Sequence, residues 1–264
     1  MSATPPLMFH RLAPYYDVLV GAKDYRSEVR QLESIARRYG RSGGRAWLDV
    51  ACGTGRHLSF LRRDFAVRGI DRSREMLRVA RRRLPGVRLT VGDMRDFRLR
   101  ERFDVISCLF SAIGHLRSER ELAATFANFA RHLQPGGVVI VEPWIDPTDF
   151  RAGFLHLLTH RTPEVAVARM AFSSRRGRRS AVHYHYLLGR AGRPIEHYEE
   201  VDPGLLVPRG RLLRLLRTAG LTARFLPRGL TPGRGLLVGV RDRHSTRPLR
   251  SRTSRRSRTA GRGT

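Results

Sequence analysis

Apolar and polar positions alternate along this chain with two different periods. Between residues 25 and 39, Val29, Leu32, Ile35 and Ala36 recur among charged positions, which predicts a helix stopped by the glycines of 40–44. Short apolar runs and helix-period stretches then take turns. Strands are predicted at 45–51, 66–70, 87–91, 103–109 and 138–142. Helices are predicted at 56–63, from a Ser73 cap through 83, and at 119–133. The run 103–109 is largely apolar, as suits a parallel strand covered on both faces. Such β-α alternation predicts an α/β fold with a mostly parallel sheet and right-handed crossovers. After Pro143 the rhythm changes: 165–172, 181–188 and 195–201 read as short strands between Arg/Gly turns. A helix follows at 208–219, and strands 221–226 and 236–240 close the sheet as an antiparallel pair. This reading gives an α/β domain from 1–143 and 206–241, a small antiparallel β insertion at 144–205, and a tail at 242–264.

Composition adds less than it first suggests. The formal net charge is +28, which invites a nucleic-acid reading. Lys23 is the only lysine, however, so the basic count is almost wholly arginine, and the arginines scatter over every predicted helix face. Residues 241–264 hold nine of them in a Ser/Thr/Gly-rich tail that cannot bury a core and is expected to be disordered. A generic affinity for polyanions is expected, and no specific nucleic-acid partner. Two cysteines, Cys52 and Cys108, at predicted strand ends point to a reducing, cytoplasmic setting without disulfides. The polar start and the lack of a long apolar run predict neither a signal peptide nor a membrane span.

The chemistry sits where the first predicted strand ends. Asp49 closes an apolar run, then Ala51, Gly53 and Gly55 lead into a helix. Glycine there permits positive φ and a close ligand approach, and the helix start offers free N–H groups. Leu58 stands where a third glycine would complete a dinucleotide fingerprint, and Asp49 would repel a phosphate. A carboxylate at that position suits a ligand with an ammonium group. In open parallel sheets, ligands bind beyond the carboxyl ends of the strands. Asp71, eighteen residues after Gly53, lies at such an end and can accept ribose hydroxyls. Asp93 and Met94 lie past the third strand, at another such end. Cys108 to Ser111 ends the fourth.

This Asp-x-x-x-Gly-x-Gly pattern resembles motif I of class I S-adenosylmethionine (SAM) methyltransferases, implying a Rossmann-like sheet with an antiparallel last strand and SAM as cofactor. Cys108 would then line the sulfonium. The chain lacks the Asn/Asp-Pro-Pro-aromatic motif of enzymes that methylate bases, and no His/Asp/Glu cluster suggests a catalytic metal. A narrower resemblance rests on Lys23-Asp-Tyr25, Gly92-Asp-Met-Arg-Asp-Phe97, Phe110-Ser-Ala-Ile-Gly-His115, Glu142-Pro-Trp144 and Gly233-Arg-Gly-Leu236. These blocks are similar to those of N,N-dimethyltransferases of nucleotide-linked amino sugars in antibiotic biosynthesis. The resemblance implies that Tyr16, Lys23, Asp71, Asp93 and Met94 hold SAM. It implies that Arg234 pairs with a diphosphate, Trp144 stacks on sugar or base, and His115 orients the acceptor amine or takes its proton. It also allows a homodimer through the insertion. Departures fall on the acceptor side: Phe9 for a tyrosine, and Ile145 and Asp146 after the Glu-Pro-Trp block. Methylation of another small natural-product or amino-acid acceptor, or of RNA, stays open at this point.

Overall fold

A computed structural model describes residues 6–21 and 23–243, so the tail at 244–264 lies outside the described residues. The elements follow the order α1 (Tyr16–Leu19), α2 (Tyr25–Tyr39), β1 (Ala46–Val50), α3 (Arg56–Leu61), β2 (Ala66–Asp71), α4 (Arg74–Arg83), β3 (Arg88–Val91) and β4 (Phe103–Cys108). Then come α5 (Glu119–His132), β5 (Leu133–Val141), β6 (Leu155–Arg161), β7 (Val165–Arg176), β8 (Arg179–Arg190), β9 (Glu196–Leu205), α6 (Arg209–Thr218), β10 (Leu221–Leu226) and β11 (Leu236–Arg241). The sheet order is β10-β11-β5-β4-β1-β2-β3. Strands β1 to β5 pair in parallel, and β11 runs antiparallel to both β5 and β10.

Alternation along the central strands sorts the core into two layers. Leu48, Val50, Ile106, Val139, Val141 and Leu237 face α5 and α6, whose Phe126, Phe129 and Leu216 are fully buried. Trp47, Val105, Val138, Ile140 and Val238 face the opposite way, onto Val29, Leu32 and Ile35 of α2. The helix starts match their local sequence: Asp24, Ser73 and Ser118 each accept the backbone N–H three residues on. Asp146, a departure from the expected aromatic, accepts the Arg209 N–H at the start of α6.

Two elements differ from expectation. The Pro135-Gly136-Gly137 turn lies inside β5, whose register with β4 slips between Phe103 and Val105. Gly136 has φ of +80° there, and a Cβ would stand 2.8 Å from the Arg41 backbone. The second antiparallel sheet has four strands, in the order β6-β7-β8-β9. Its edge strand β6 carries an unalternating Leu-His-Leu-Leu sequence, which hides it from period analysis. The inner face of this sheet packs Val167, Tyr186 and Leu188 on Met8, Leu12 and Leu19. The N-terminal segment is therefore held between the insertion and the main domain.

Candidate active site

The loops after β1 and β4 are both built on left-handed backbone. Ala51, Phe110 and Ser111 have φ of 59°, 53° and 60°, and they are the three positive-φ non-glycine residues among the described ones. Such conformations cost about 1–3 kcal/mol each and concentrate where geometry serves a ligand. Gly53 (φ 53°) and Gly55 (φ 73°) continue the first loop. A Cβ on Gly53 would meet nothing within 4 Å, so its free face is open to a ligand.

Asp49 and Asp71 lie beneath this loop. Asp71 is tied down on both oxygens: Gly53 N–H donates to Oδ2 at 2.8 Å and Ser73 N–H to Oδ1 at 2.8 Å. Burial raises its pKa, against those two bonds. Asp49 is 2% exposed and accepts one hydrogen bond, from Ser107 Oγ at 2.7 Å, while Trp47 Nε1 donates to the same hydroxyl at 2.9 Å. Burial pushes Asp49 up to about 6, with Asp71 adding to the rise and His57 and Ser107 opposing it. A buried carboxylate with a single neutral partner is a strong site for a ligand cation.

A second group braces the glycine loop from α2. His57 Nε2 is 2.8 Å from Glu28 Oε2, and Lys23 Nζ pairs with Glu28 Oε1. Against its burial, those two partners hold Glu28 below the usual carboxylate range. Lys23 also stands 4.7 Å from the centre of the Phe110 ring. Asp17 accepts from Thr54 Oγ1 at 2.7 Å and from Arg83, so the N-terminal segment is latched onto the same loop. That places Tyr16 within electrostatic reach of Asp71, with its hydroxyl pKa raised chiefly by burial.

The opposite wall comes from β5, the 228–235 turn and the insertion. Glu142 is fully buried and accepts Phe110 N–H at 2.7 Å and Thr231 N–H at 3.0 Å. It thus joins the β4 loop to the turn that carries Arg234. Arg234 Nη1 donates to Ser111 Oγ at 2.6 Å, and its guanidinium lies 4.9 Å from the Trp144 ring. Trp144 Nε1 donates to Ser180 Oγ of β8 at 3.0 Å. His115 Nδ1 is 3.1 Å from Asp202 Oδ1 of β9, and the Phe9 ring meets its edge at 5.4 Å. Burial would lower the His115 pKa, but pairing with Asp202 raises it overall.

Not every expected residue faces the crevice in the expected way. Cys108 is a correction: its side chain is fully buried on the α5/α6 face, because strand alternation sends Ile106 and Cys108 there. Phe110 is exposed in its place, while Ser111 stays buried, bonded to Pro143 and Arg234. Asp93 ends beyond β3, but Arg95 donates to it from its backbone N, Nε and Nη2 at 2.8–2.9 Å. Met94 packs against the core, and its carbonyl accepts from Asn128. Glu28, His57 and Asp202 were not anticipated. His57 sits in the glycine motif itself, a signal that could have marked it. Asp202 lies 87 residues beyond His115 and carries no local signature.

Folded Asp49 takes up a proton at higher pH than the unfolded chain does. Its contribution to stability is therefore full below about 3.8 and lost as pH rises through about 6. At neutral pH the charge costs the ligand-free protein about 3 kcal/mol. Asp49→Asn is expected to raise the ligand-free thermal midpoint at pH 7.5 while weakening SAM binding about 10- to 100-fold. Paired calorimetric scans and SAM titrations check both. Unchanged SAM affinity would remove Asp49 from the cofactor site.

The profile of a methyltransferase domain family matches residues 48–137, from β1 into β5. The chain is 41% identical to the dTDP-3-amino-3,6-dideoxy-alpha-D-glucopyranose N,N-dimethyltransferase of Streptomyces fradiae, over 87% of this chain and 90% of that one. The crystal structure of Streptomyces venezuelae DesVI superposes with a TM-score of 0.80 at 38% identity, covering 83% of this chain and 93% of that one. SAM-bound CalS10, an amino pentose methyltransferase from Micromonospora echinaspora, superposes with a TM-score of 0.76 at 35% identity, covering 83% and 92%. With this identity over nearly the whole of both chains, the chain belongs to the dTDP-amino-deoxysugar N,N-dimethyltransferases within the class I SAM-dependent methyltransferases.

Proposed function

We propose that this enzyme uses SAM to dimethylate the amino group of a dTDP-linked amino deoxysugar in antibiotic biosynthesis. The observation that carries the substrate class is Arg234. It is a half-buried guanidinium beside Trp144, with no carboxylate within 4 Å among the described residues. Burial lowers its pKa, with the charge of Glu142 opposing that fall only in part. A guanidinium fork matches the oxygens of a diphosphate. Trp144, beside that guanidinium, stacks on the sugar or base in this reading. The activity named for the S. fradiae relative agrees with this reading.

SAM, when bound, supplies an activated sulfonium methyl. Asp49 would hold its ammonium, Lys23 its carboxylate and Asp71 its ribose, with Ala51, Gly53 and Gly55 as the backbone cradle. Tyr16 would cover the mouth, and the Asp93–Met94 segment, fixed by Arg95 and Asn128, would lie beside the adenine. The protein's main task is to align the amine with the methyl, since an effective molarity gain of about 7–11 kcal/mol is available from positioning alone. The amine must be neutral to attack. His115, oriented through Nδ1 by Asp202, orients that amine and accepts its proton. No described helix is long and apolar enough to cross a membrane. The two free, buried cysteines support a reducing, cytoplasmic setting.

A second copy of the chain fits the outer face of the insertion sheet. Leu155, Leu157, Met170 and Phe172 form adjoining cross-strand pairs there and are 38–70% exposed. An apolar patch of this kind on a chain of charge +28 marks an interface whose association strengthens as salt screens the repulsion. Sedimentation is expected to show a dimer that Leu157→Glu/Met170→Glu converts to a monomer. A wild-type monomer would remove this reading.

Mass spectrometry of the protein incubated with SAM and a dTDP-3-amino-3,6-dideoxyglucose tests the activity. Products heavier by one and then two methyl groups are expected. SAM binding without turnover would move the acceptor to another amine. His115→Asn is expected to lower kcat by ~10²-fold. Asp202→Asn, which withdraws the charge that raises the His115 pKa, should shift the acid limb of the kcat profile to lower pH. Unchanged kcat and pH profiles in both variants would leave His115 without a proton-accepting role.

A further inference from the structure

The insertion sheet carries a second constellation, on the face turned away from the crevice. Along β8, Tyr184, Tyr186 and Leu188 point inward; along β9, Tyr198, Glu200 and Asp202 do so. The intervening residues point outward. His185 pairs across the hairpin with Glu199, and Leu187 with His197, so His185, His197 and Glu199 meet on the outer surface. They use one atom each. His185 Nδ1 is 3.3 Å from His197 Nε2 and 3.4 Å from Glu199 Oε1, and His197 Nε2 is 3.7 Å from the same Oε1.

That triangle has the dimensions of a metal-ligand face. Bonds of about 2.0–2.1 Å in a tetrahedron place neighbouring ligand atoms about 3.3–3.4 Å apart. Two imidazoles with one carboxylate are a donor set suited to Zn2+ and its neighbours rather than to Mg2+ or Ca2+. Glu199 supplies the negative charge that two neutral imidazoles lack. The three side chains are 48–64% exposed in the single chain and adjoin the apolar patch through the His185–Met170 pair, so a cation and its waters reach them from solvent in the monomer.

We propose that His185, His197 and Glu199 form a binding site for a divalent metal of the zinc class, separate from the methyl-transfer site. The metal clips β8 to β9. It thereby holds the hairpin whose inner face presents Asp202 to His115 and Ser180 to Trp144. It cannot reach the reacting groups, because the sheet lies between. The motif is invisible in linear sequence: His185 and His197 are twelve residues apart, at no ligand spacing, and only the hairpin register joins them.

Isothermal titration of the full chain with ZnCl2 tests this, together with the visible spectrum after Co2+ addition. One equivalent of Zn2+ per chain is expected, with intense tetrahedral bands for Co2+. His185→Ala and His197→Ala should each weaken Zn2+ binding by about tenfold or more. His156→Ala, which alters an exposed histidine outside the cluster, should not. SAM titration of each variant reports that its main domain is folded. Zn2+ should also raise the melting temperature of the wild type and not of the two cluster variants. No Zn2+ uptake by the wild type, or equal uptake by the wild type and both cluster variants, would overturn the proposal.

Discussion

Three carboxylates are buried where the central strands end, and the way each charge is compensated sets the plan of the molecule. Asp71 accepts two backbone N–H groups and joins the glycine loop to the start of α4. Glu142 accepts two more and joins the β4 loop to the 228–235 turn. Asp49 is the exception, with one neutral hydroxyl as its partner. A charge out of water needs a counter-charge or a proton. The fold therefore keeps a standing electrostatic demand at the centre of its sheet. Two of the carboxylates act as braces, and the third keeps only the Ser107 hydroxyl as its partner.

The braces also account for the strained backbone around them. Phe110 and Ser111 keep left-handed conformations because Glu142 holds the Phe110 N–H and Ser111 Oγ donates to Pro143 O at 2.7 Å. The same serine hydroxyl receives Arg234. One hydrogen-bonded chain thus runs from the core of β5 to the guanidinium on the acceptor side. Latching by Asp17 and packing of Leu12 and Leu19 on Tyr186 bring the N-terminal segment and the insertion to the same crevice.

Much of this was legible from residue order. The period change after Pro143, the Ser73 cap and the apolar run at 103–109 each depend on local chemistry, and each appears at its expected place. The glycine loop was legible for the same reason, since positive φ at Gly53 and Gly55 follows from residue type. β6 was not, because an edge strand with one solvent face and exposed leucines has no alternation to detect. The course of Pro135 through a register slip was hidden too, since a bulge is a property of two strands.

The sequence by itself determined the α/β order, the glycine loop after β1 and the family. All three are encoded in neighbouring residues, through periodicity, caps and glycine conformations. Tertiary structure decided which side chains face the crevice. It buried Cys108, enclosed Asp93 with Arg95, and set Asp202 beside His115 and Glu28 beside His57. It also gathered two histidines and a glutamate on the outer sheet. Each of those outcomes depends on strand register and on packing between distant segments, and pairings between distant segments leave no mark on the local order of residues.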